Sequence, residues 1–136
     1  MLSSKRDLGL LTLRLGIGIM FILHGYPKVL GGVAQWTQIG SSMQNLGITF
    51  FPAFWGFMAA SSECFGGFLF AIGFLFRPAC LLLLSTMSVA TLYHLGKGDG
   101  IMGASHALEA AIVFVSMFLI GPGKHSFSNW FGRGDR

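Results

Sequence analysis

Charged residues are scarce in this chain of 136 residues, because Asp, Glu, Lys and Arg together make up 10% of it, against roughly 25% in soluble domains. Hydrophobic residues make up 53%, and the mean hydropathy is +0.68. A disordered chain would contain far fewer apolar residues, and a water-soluble core of this size could not bury so many. The composition therefore predicts a membrane protein.

The cysteines and the charge balance argue against two further classes, disulfide-rich or haem proteins and nucleic-acid-binding proteins. The chain has only two cysteines, Cys64 and Cys80, which lie in apolar runs without CxxC or CxxCH spacing. Neither a disulfide framework nor covalent haem attachment is therefore predicted. The basic residues outnumber the acidic ones by nine to five, but they are scattered, so binding to nucleic acid through counterion release is not expected.

Four long apolar segments predict four membrane-spanning helices, since about 20 such residues cross a bilayer. They are residues 8–30, 50–76, 78–95 and 103–121. The first follows a basic start, but Arg14 interrupts it and no cleavage site of small residues follows, so we expect a retained span rather than a signal peptide. We expect one all-α domain over residues 1–136, a transmembrane four-helix bundle with a tight turn at Phe76-Arg77-Pro78.

The connection between the first two spans predicts a short additional helix. Apolar residues recur there at spacings of three and four among polar residues, which is a helical periodicity. The apolar positions are Val33, Trp36, Ile39, Met43 and Leu46. Such a helix would lie in the membrane interface, and the alternative is a loop with incidental apolar residues.

Basic residues beside the spans predict the orientation, because Lys and Arg are retained preferentially on the cytoplasmic side. One side of the bundle carries Lys5, Arg6, Arg77, Lys124, Arg133 and Arg136, and the other side carries Lys28 and Lys97. We therefore expect both termini to lie in the cytoplasm.

Arg14 and Glu63 are charged residues within predicted spans, where each charge costs roughly 2.5–3.5 kcal/mol on insertion scales. With a rise of about 1.5 Å per residue, their levels differ by roughly 10 Å, which two long side chains can bridge. Glu63 is therefore expected to pair with Arg14 or to stay protonated. The alternative for Arg14 is extension to the cytoplasmic interface.

Five more titratable residues collect toward the other face when the four spans are laid antiparallel. They are His24, Lys28, His94, His106 and Glu109. They could ligate a metal, hold a b-type haem, or bind a quinone headgroup and move its protons, or each could face water separately. No His-x3-His or Glu-x-x-His spacing fixes metal ligands on one helix. We predict a pocket lined by His24, Lys28, His106 and Glu109, with His94 at its edge and no metal.

Several short motifs follow one another in a recognisable order along nearly the whole chain. They are Arg14-Leu15-Gly16, His24-Gly25-Tyr26-Pro27-Lys28, Glu63 before Gly66-Gly67, Gly73-Phe74-Leu75-Phe76-Arg77-Pro78 and Gly121-Pro122-Gly123-Lys124-His125-Ser126. This order resembles the DoxX family of small four-helix membrane proteins. The tail departs from the family pattern, because Phe127-Ser128 stands where the family commonly has Leu-Asp.

The resemblance implies a subunit of a quinone-linked oxidoreductase in the inner membrane. On this interpretation a protein partner or a small reductant supplies electrons, since the chain has no recognisable redox cofactor site. Glu63 and Glu109 would then move protons as catalytic residues, while the side chains that position the quinone would be Arg14, His24, Lys28, His94 and His106. The alternative is a non-catalytic bundle that binds or carries a lipid or small solute, or scaffolds other proteins. Four short helices line only a narrow cavity, so a transporter would need to form a homo-oligomer.

Overall fold

The computed structural model describes residues 2–130, and the secondary-structure elements among them are all helices. The elements are α1 (Leu2–Val29), α2 (Val33–Gly40), a 3-10 helix (Ser41–Leu46), α3 (Pro52–Ile72), α4 (Phe76–Gly96), α5 (Gly100–Ile120) and α6 (Phe127–Trp130). Arg133 and Arg136, which entered the orientation argument, lie outside the described residues.

Four of these helices, α1, α3, α4 and α5, are long and apolar enough to cross a membrane. This confirms the predicted all-α transmembrane bundle. The turn between α3 and α4 consists of residues 73–75, so Phe76, Arg77 and Pro78 begin α4 instead of forming the turn. Gly73, at φ 73°, ends α3 in the left-handed conformation that glycine adopts without strain.

We call the two ends of the bundle the terminal end and the loop end. The terminal end carries the start of α1, the turn between α3 and α4, and the end of α5. The loop end carries the start of α3 and the turn between α4 and α5. The helices alternate in direction between these two ends.

α1 and α3 run antiparallel with their backbones in close contact, because α1 presents glycines to α3. A Cβ atom at Gly18 would lie 2.7 Å from the carbonyl oxygen of Gly67. A Cβ atom at Gly25 would lie 2.6 Å from the backbone nitrogen of Cys64. These two contacts set the register of α1 along α3, as small residues do in membrane helix pairs.

Aromatic packing joins α5 to the rest of the bundle. The ring of Phe114 lies edge-on to those of Phe21 in α1 and Phe70 in α3, with centroid distances of 5.0 and 5.3 Å. Phe70 also stacks on Phe76 at the start of α4. The core of the bundle therefore lies where these rings meet.

The helix predicted between the first two spans is present as α2 and the 3-10 helix after it, and its position in the interface stays a prediction. α2 continues the path of α1 along α3. Gly25 of α1 lies against Cys64, and farther along the chain the backbone of Trp36 lies against Gly56. At the end of α2, Gly40 lies against Pro52. α1 and α2 therefore form one interrupted path antiparallel to α3, and the interruption at residues 30–32 faces the loop-end half of α3.

Candidate functional site

A cavity of about 510 Å³ lies between α2, the 3-10 helix, α3 and α4 in the loop-end half of the bundle. This volume is within the range of small-molecule sites, roughly 300–1,000 Å³. Its wall combines apolar side chains with hydroxyl and amide groups. The polar uncharged members are Gln35, Gln38, Ser42, Ser62, Ser85, Thr86 and Tyr93, and the larger apolar members are Ile39, Met43, Trp55, Met58, Leu82 and Val89.

An ion pair between Lys28 and Glu63 forms part of the cavity wall. Lys28 Nζ donates hydrogen bonds to Glu63 Oε2 at 3.0 Å and Oε1 at 3.2 Å. The Glu63 side chain is 8% exposed and that of Lys28 is 36% exposed. The carboxylate is therefore almost removed from solvent, whereas the ammonium group stays partly accessible.

The interruption after α1 positions Lys28 for this contact. α1 ends at Val29, and the Lys28 carbonyl accepts a hydrogen bond of 2.9 Å from the indole Nε1 of Trp36 in α2. Trp36 therefore ties the end of α1 to the start of the next helix. A cation in the last turn of α1 also interacts favourably with the helix dipole.

The predicted pair between Arg14 and Glu63 is wrong, because Arg14 lies at the terminal end of the bundle. Its side chain is buried, at 2% exposure. Nε and Nη2 donate to the carbonyl of Ala71 at 3.4 and 3.1 Å, and Nη1 donates to the carbonyl of Pro122 at 2.6 Å. Ala71 is two turns beyond Glu63 in α3, about 12 Å at the usual helical rise, so Glu63 is beyond reach.

The contacts of Arg14 belong to a cluster that holds the C-terminal tail, residues 121–130, against the terminal end. Buried Asp7 accepts a hydrogen bond of 3.2 Å from the backbone N–H of Lys124. The Ser128 hydroxyl donates to the carbonyl of Gly73 at 2.9 Å. Arg14 and Asp7 therefore hold the tail against the terminal end, and both residues lie far from the cavity.

The wall of this cavity is not the set predicted for a pocket, which is His24, Lys28, His106 and Glu109. Only Lys28 of these residues lines the cavity. His24 and His106 lie beside each other on the exposed surface of α1 and α5, with ring centroids 6.0 Å apart, and Glu109 is exposed on α5. His24 and Lys28 are four residues apart in α1, so their side chains leave the helix at angles that differ by about 40°. Lys28 faces α3, whereas His24 faces α5.

His94 lies at the turn between α4 and α5, outside the cavity wall. Its Nδ1 donates a hydrogen bond of 2.8 Å to Asp99 Oδ2. This hydrogen bond, with a smaller contribution from the charge of Lys97, holds the pKa of Asp99 below its ordinary value. Among residues 2–130, no three His, Cys, Asp or Glu side chains form a group that could hold a metal ion.

Three aromatic residues of this region were not predicted as site residues. Trp55 and Tyr93 line the cavity, and Trp36 anchors Lys28. The indole Nε1 of Trp55 is buried without a hydrogen-bond partner in the described part of the chain. The periodicity of residues 33–46 indicates a helix with Gln35 and Gln38 on it, but it does not show that this helix covers a cavity.

Together these features define a multi-pass membrane protein, a four-helix bundle whose loop-end half encloses a cavity with an ion pair in its wall. The DoxX family model matches residues 9–95 of the 136. The chain belongs to the DoxX family, and the resemblance drawn from its motifs is confirmed. A search of the curated proteins and a search of the solved structures give no match.

Proposed function

We propose that this protein binds a quinone headgroup in the cavity and acts as a small subunit of a quinone-linked oxidoreductase. The observation that carries the proposal is the Lys28–Glu63 ion pair in the wall of a largely apolar cavity. A buried ionisable pair at bilayer depth is costly and is most often functional. An apolar wall with a few polar groups suits a ligand with a polar head and an apolar body.

The side chains of the cavity fit the chemistry of a quinone. Its two carbonyl oxygens need hydrogen-bond donors, and Lys28, Gln35 and Gln38 supply such donors in the wall. Trp55 adds a buried N–H without an acceptor among the described residues. The apolar ring and tail can pack on the neighbouring Met and Leu side chains of the wall. We therefore assign quinone positioning to Lys28, whereas His24 and His106 lie elsewhere.

Glu63 is the residue that we assign to proton transfer. Reduction of a quinone to a quinol consumes two electrons and two protons, so the Glu63 carboxylate would take up a proton from water beside the partly exposed Lys28 and pass it to a quinone oxygen, once for each of the two protons. Between transfers the Glu63 carboxylate accepts the two hydrogen bonds from Lys28 Nζ. The electrons come from a partner protein or a small reductant, since the sequence contains no motif for a redox cofactor.

The distribution of basic residues supports an inner-membrane location with the terminal end in the cytoplasm. Among the described residues, Lys5, Arg6, Arg77 and Lys124 lie at the terminal end. Lys97 lies at the loop end, and Lys28 is paired with Glu63. In this orientation the cavity lies in the outer half of the membrane.

Binding of a short-chain quinone to the purified protein in nanodiscs tests the proposal. Decylubiquinone and menadione would be titrated while the intrinsic tryptophan fluorescence, to which Trp36 and Trp55 contribute, is followed. We expect Lys28→Met and Glu63→Gln to weaken binding about tenfold or more, as loss of a hydrogen bond to a charged group does. Ser88→Ala is the matched control, because Ser88 is exposed on α4, its hydroxyl donates to the Leu84 carbonyl of the same helix, and it is not part of the cavity wall.

Extraction of the purified protein separates this proposal from its rival. Quinone recovered in stoichiometric amount supports the oxidoreductase subunit. Phospholipid without quinone, together with no saturable binding in the titration, would overturn it. The same result would favour a bundle that binds or carries a lipid or a small solute.

A further inference from the structure

Three ionisable side chains lie together on the outer surface of the bundle. His24 on α1 and His106 on α5 are exposed, with ring centroids 6.0 Å apart, and Glu109 is exposed one turn farther along α5. His24 Nδ1 is bonded to the Met20 carbonyl at 2.8 Å. The ion pairs of the described residues do not include Glu109. We call these three residues the polar face.

The polar face lies within the membrane rather than at its edge. α5 begins at Gly100, so Glu109 lies about 13 Å along the helix from its loop end. Ile112, one turn deeper, is also exposed and apolar. A carboxyl group that faces lipid at this depth is costly unless it meets a hydrogen-bond donor. Among the described residues neither His24 nor His106 of the same copy bonds to Glu109, and lipid headgroups do not reach this depth, so another protein surface is the expected source of the donor.

We propose that the polar face binds a second copy of this chain in a two-fold dimer. Its axis lies along the membrane normal, so each residue keeps the same depth in both copies. His106 and Glu109 differ by about 4.5 Å in depth, within the reach of their side chains. Glu109 of each copy accepts a hydrogen bond from His106 of the other copy.

Self-complementarity is the reason for choosing a second copy. The polar face contains both an acceptor, Glu109, and imidazole donors, so a copy of itself supplies the matching groups without any further protein. Hydrogen bonds of this kind stabilise helix association in membranes. The polar face is formed by α1 and α5, whereas the cavity is formed mainly by α2, α3 and α4, so dimerisation leaves the cavity free and does not depend on the proposed function.

Fluorescence energy transfer between labelled chains in liposomes measures the dimerisation constant. We expect wild-type dimers and, for Glu109→Leu, a dissociation constant about thirtyfold higher, because two symmetric contacts of about 1 kcal/mol each are lost. Glu109→Gln, which keeps an acceptor oxygen, should raise the dissociation constant less. Leucine suits a lipid-facing position, so the Glu109→Leu variant should still insert and fold, which its helicity and thermal stability would show. Ser88→Leu, on the exposed face of α4, is the control and should leave dimerisation unchanged. A monomeric wild-type protein, or a Glu109→Leu variant that dimerises normally, would overturn the proposal.

Disulfide cross-linking tests which face is used. Met102 is 83% exposed and lies two turns from Glu109 on the same side of α5. Met102→Cys should therefore cross-link to its counterpart on mild oxidation. Leu95→Cys lies at a similar level near the end of α4 and is 46% exposed, and it should not. Cross-linking of Leu95→Cys alone would assign the interface to another face and contradict the proposal.

Discussion

Glu63 lies in the middle of a membrane-spanning helix, and its carboxylate is held by Lys28. Two hydrogen bonds join the two side chains, and the Lys28 carbonyl also accepts a hydrogen bond from the Trp36 indole. The end of α1 is therefore linked to α3 through its side chain and to α2 through its backbone. A change at either charged residue should affect the assembly of three helices as well as any ligand.

Loss of one partner of this pair should cost more than loss of both. We expect Lys28→Met to lower the free energy of unfolding by about 2 kcal/mol, below the 3–5 kcal/mol typical of fully buried pairs, because Lys28 is 36% exposed. The double variant Lys28→Met/Glu63→Leu should recover part of this loss, since no uncompensated charge remains. Unfolding in SDS across the double-mutant cycle measures both effects. Strictly additive losses would contradict the pairing.

The hydrogen bond between His94 and Asp99 predicts a titration effect at the loop end. It lowers the pKa of Asp99 from its usual 3.8, so the contact stabilises the fold above about pH 4 and is lost as the pH falls through the lowered pKa. His94→Asn should raise the pKa of Asp99 toward its ordinary value. Carboxyl NMR shifts measure this pKa, with Lys97→Gln as a smaller perturbation for comparison. An unchanged titration in His94→Asn would contradict the geometry.

The interruption between α1 and α2 sets the position of α2, which forms part of the cavity wall. Residues 30–32 separate the two helices, and Gly32 has φ 86° and ψ 177°, a conformation that other residues rarely adopt. A continuous helix from α1 would carry Gln35 and Gln38 around a different angle. The break therefore decides which side chains reach the cavity.

Gly32→Ala should destabilise the protein by about 1–2 kcal/mol, because a Cβ atom is strained at positive φ. Gly9→Ala is the matched control. Gly9 lies inside α1, and a Cβ there would have no neighbour within 4 Å, so alanine should stabilise the helix by about 0.5–1 kcal/mol. Unfolding of the two variants in SDS should thus shift in opposite directions. A neutral or stabilising Gly32→Ala would contradict the break as described.

Arg14 stabilises the tail at the terminal end, where it binds carbonyls of Ala71 and Pro122. Ala71 lies in the last turn of α3, whose carbonyls have no partner within the helix. Arg14→Gln should weaken this contact and speed tryptic cleavage after Lys124 about tenfold, through more frequent local opening. Lys5→Gln, an exposed change on the same helix, should leave the rate unchanged. Equal cleavage of wild type and Arg14→Gln would show that the tail is held by other contacts.

The four spans could be predicted from sequence, because the cost of exposing polar groups to lipid leaves a long apolar run at each of them. The break at residues 30–32 could not, since Gly31-Gly32 is equally compatible with an ordinary loop after the first span. The direction of α2 depends on Gly40 and Gly56 packing against neighbouring backbone. Such contacts leave no periodic signal in the chain.

The candidate site was only partly predictable for the whole molecule. The sequence predicts both Lys28 and Glu63 as site residues, but it predicts Arg14 as the partner of Glu63 and places Lys28 in the group toward the other face. Arg14 and Lys28 both contact α3, at Ala71 and at Glu63, so the angle around α1 does not distinguish them as partners of Glu63. The register, fixed by Gly25 against Cys64, decides in favour of Lys28. The prediction of one pocket for the five titratable residues rests on their similar depth. Depth does not fix the angle at which each side chain leaves its own helix.

At the scale of the whole bundle, three regions of the molecule have different roles. The tail cluster closes the terminal end, the cavity occupies the loop-end half between α2 and α4, and the polar face lies on α1 and α5. Variants in one region should leave measurements on the others unchanged, because sites without shared partners are usually additive.

Photoaffinity labelling with an azidoquinone tests the central claim most directly. The protein in nanodiscs would be labelled, digested and mapped by mass spectrometry, with and without an excess of unlabelled quinone. Competed labelling is expected within residues 35–43, 55–63 or 82–93, which line the cavity. Labelling confined to α5 around His106 and Glu109, or labelling that excess quinone does not reduce, would contradict the central claim.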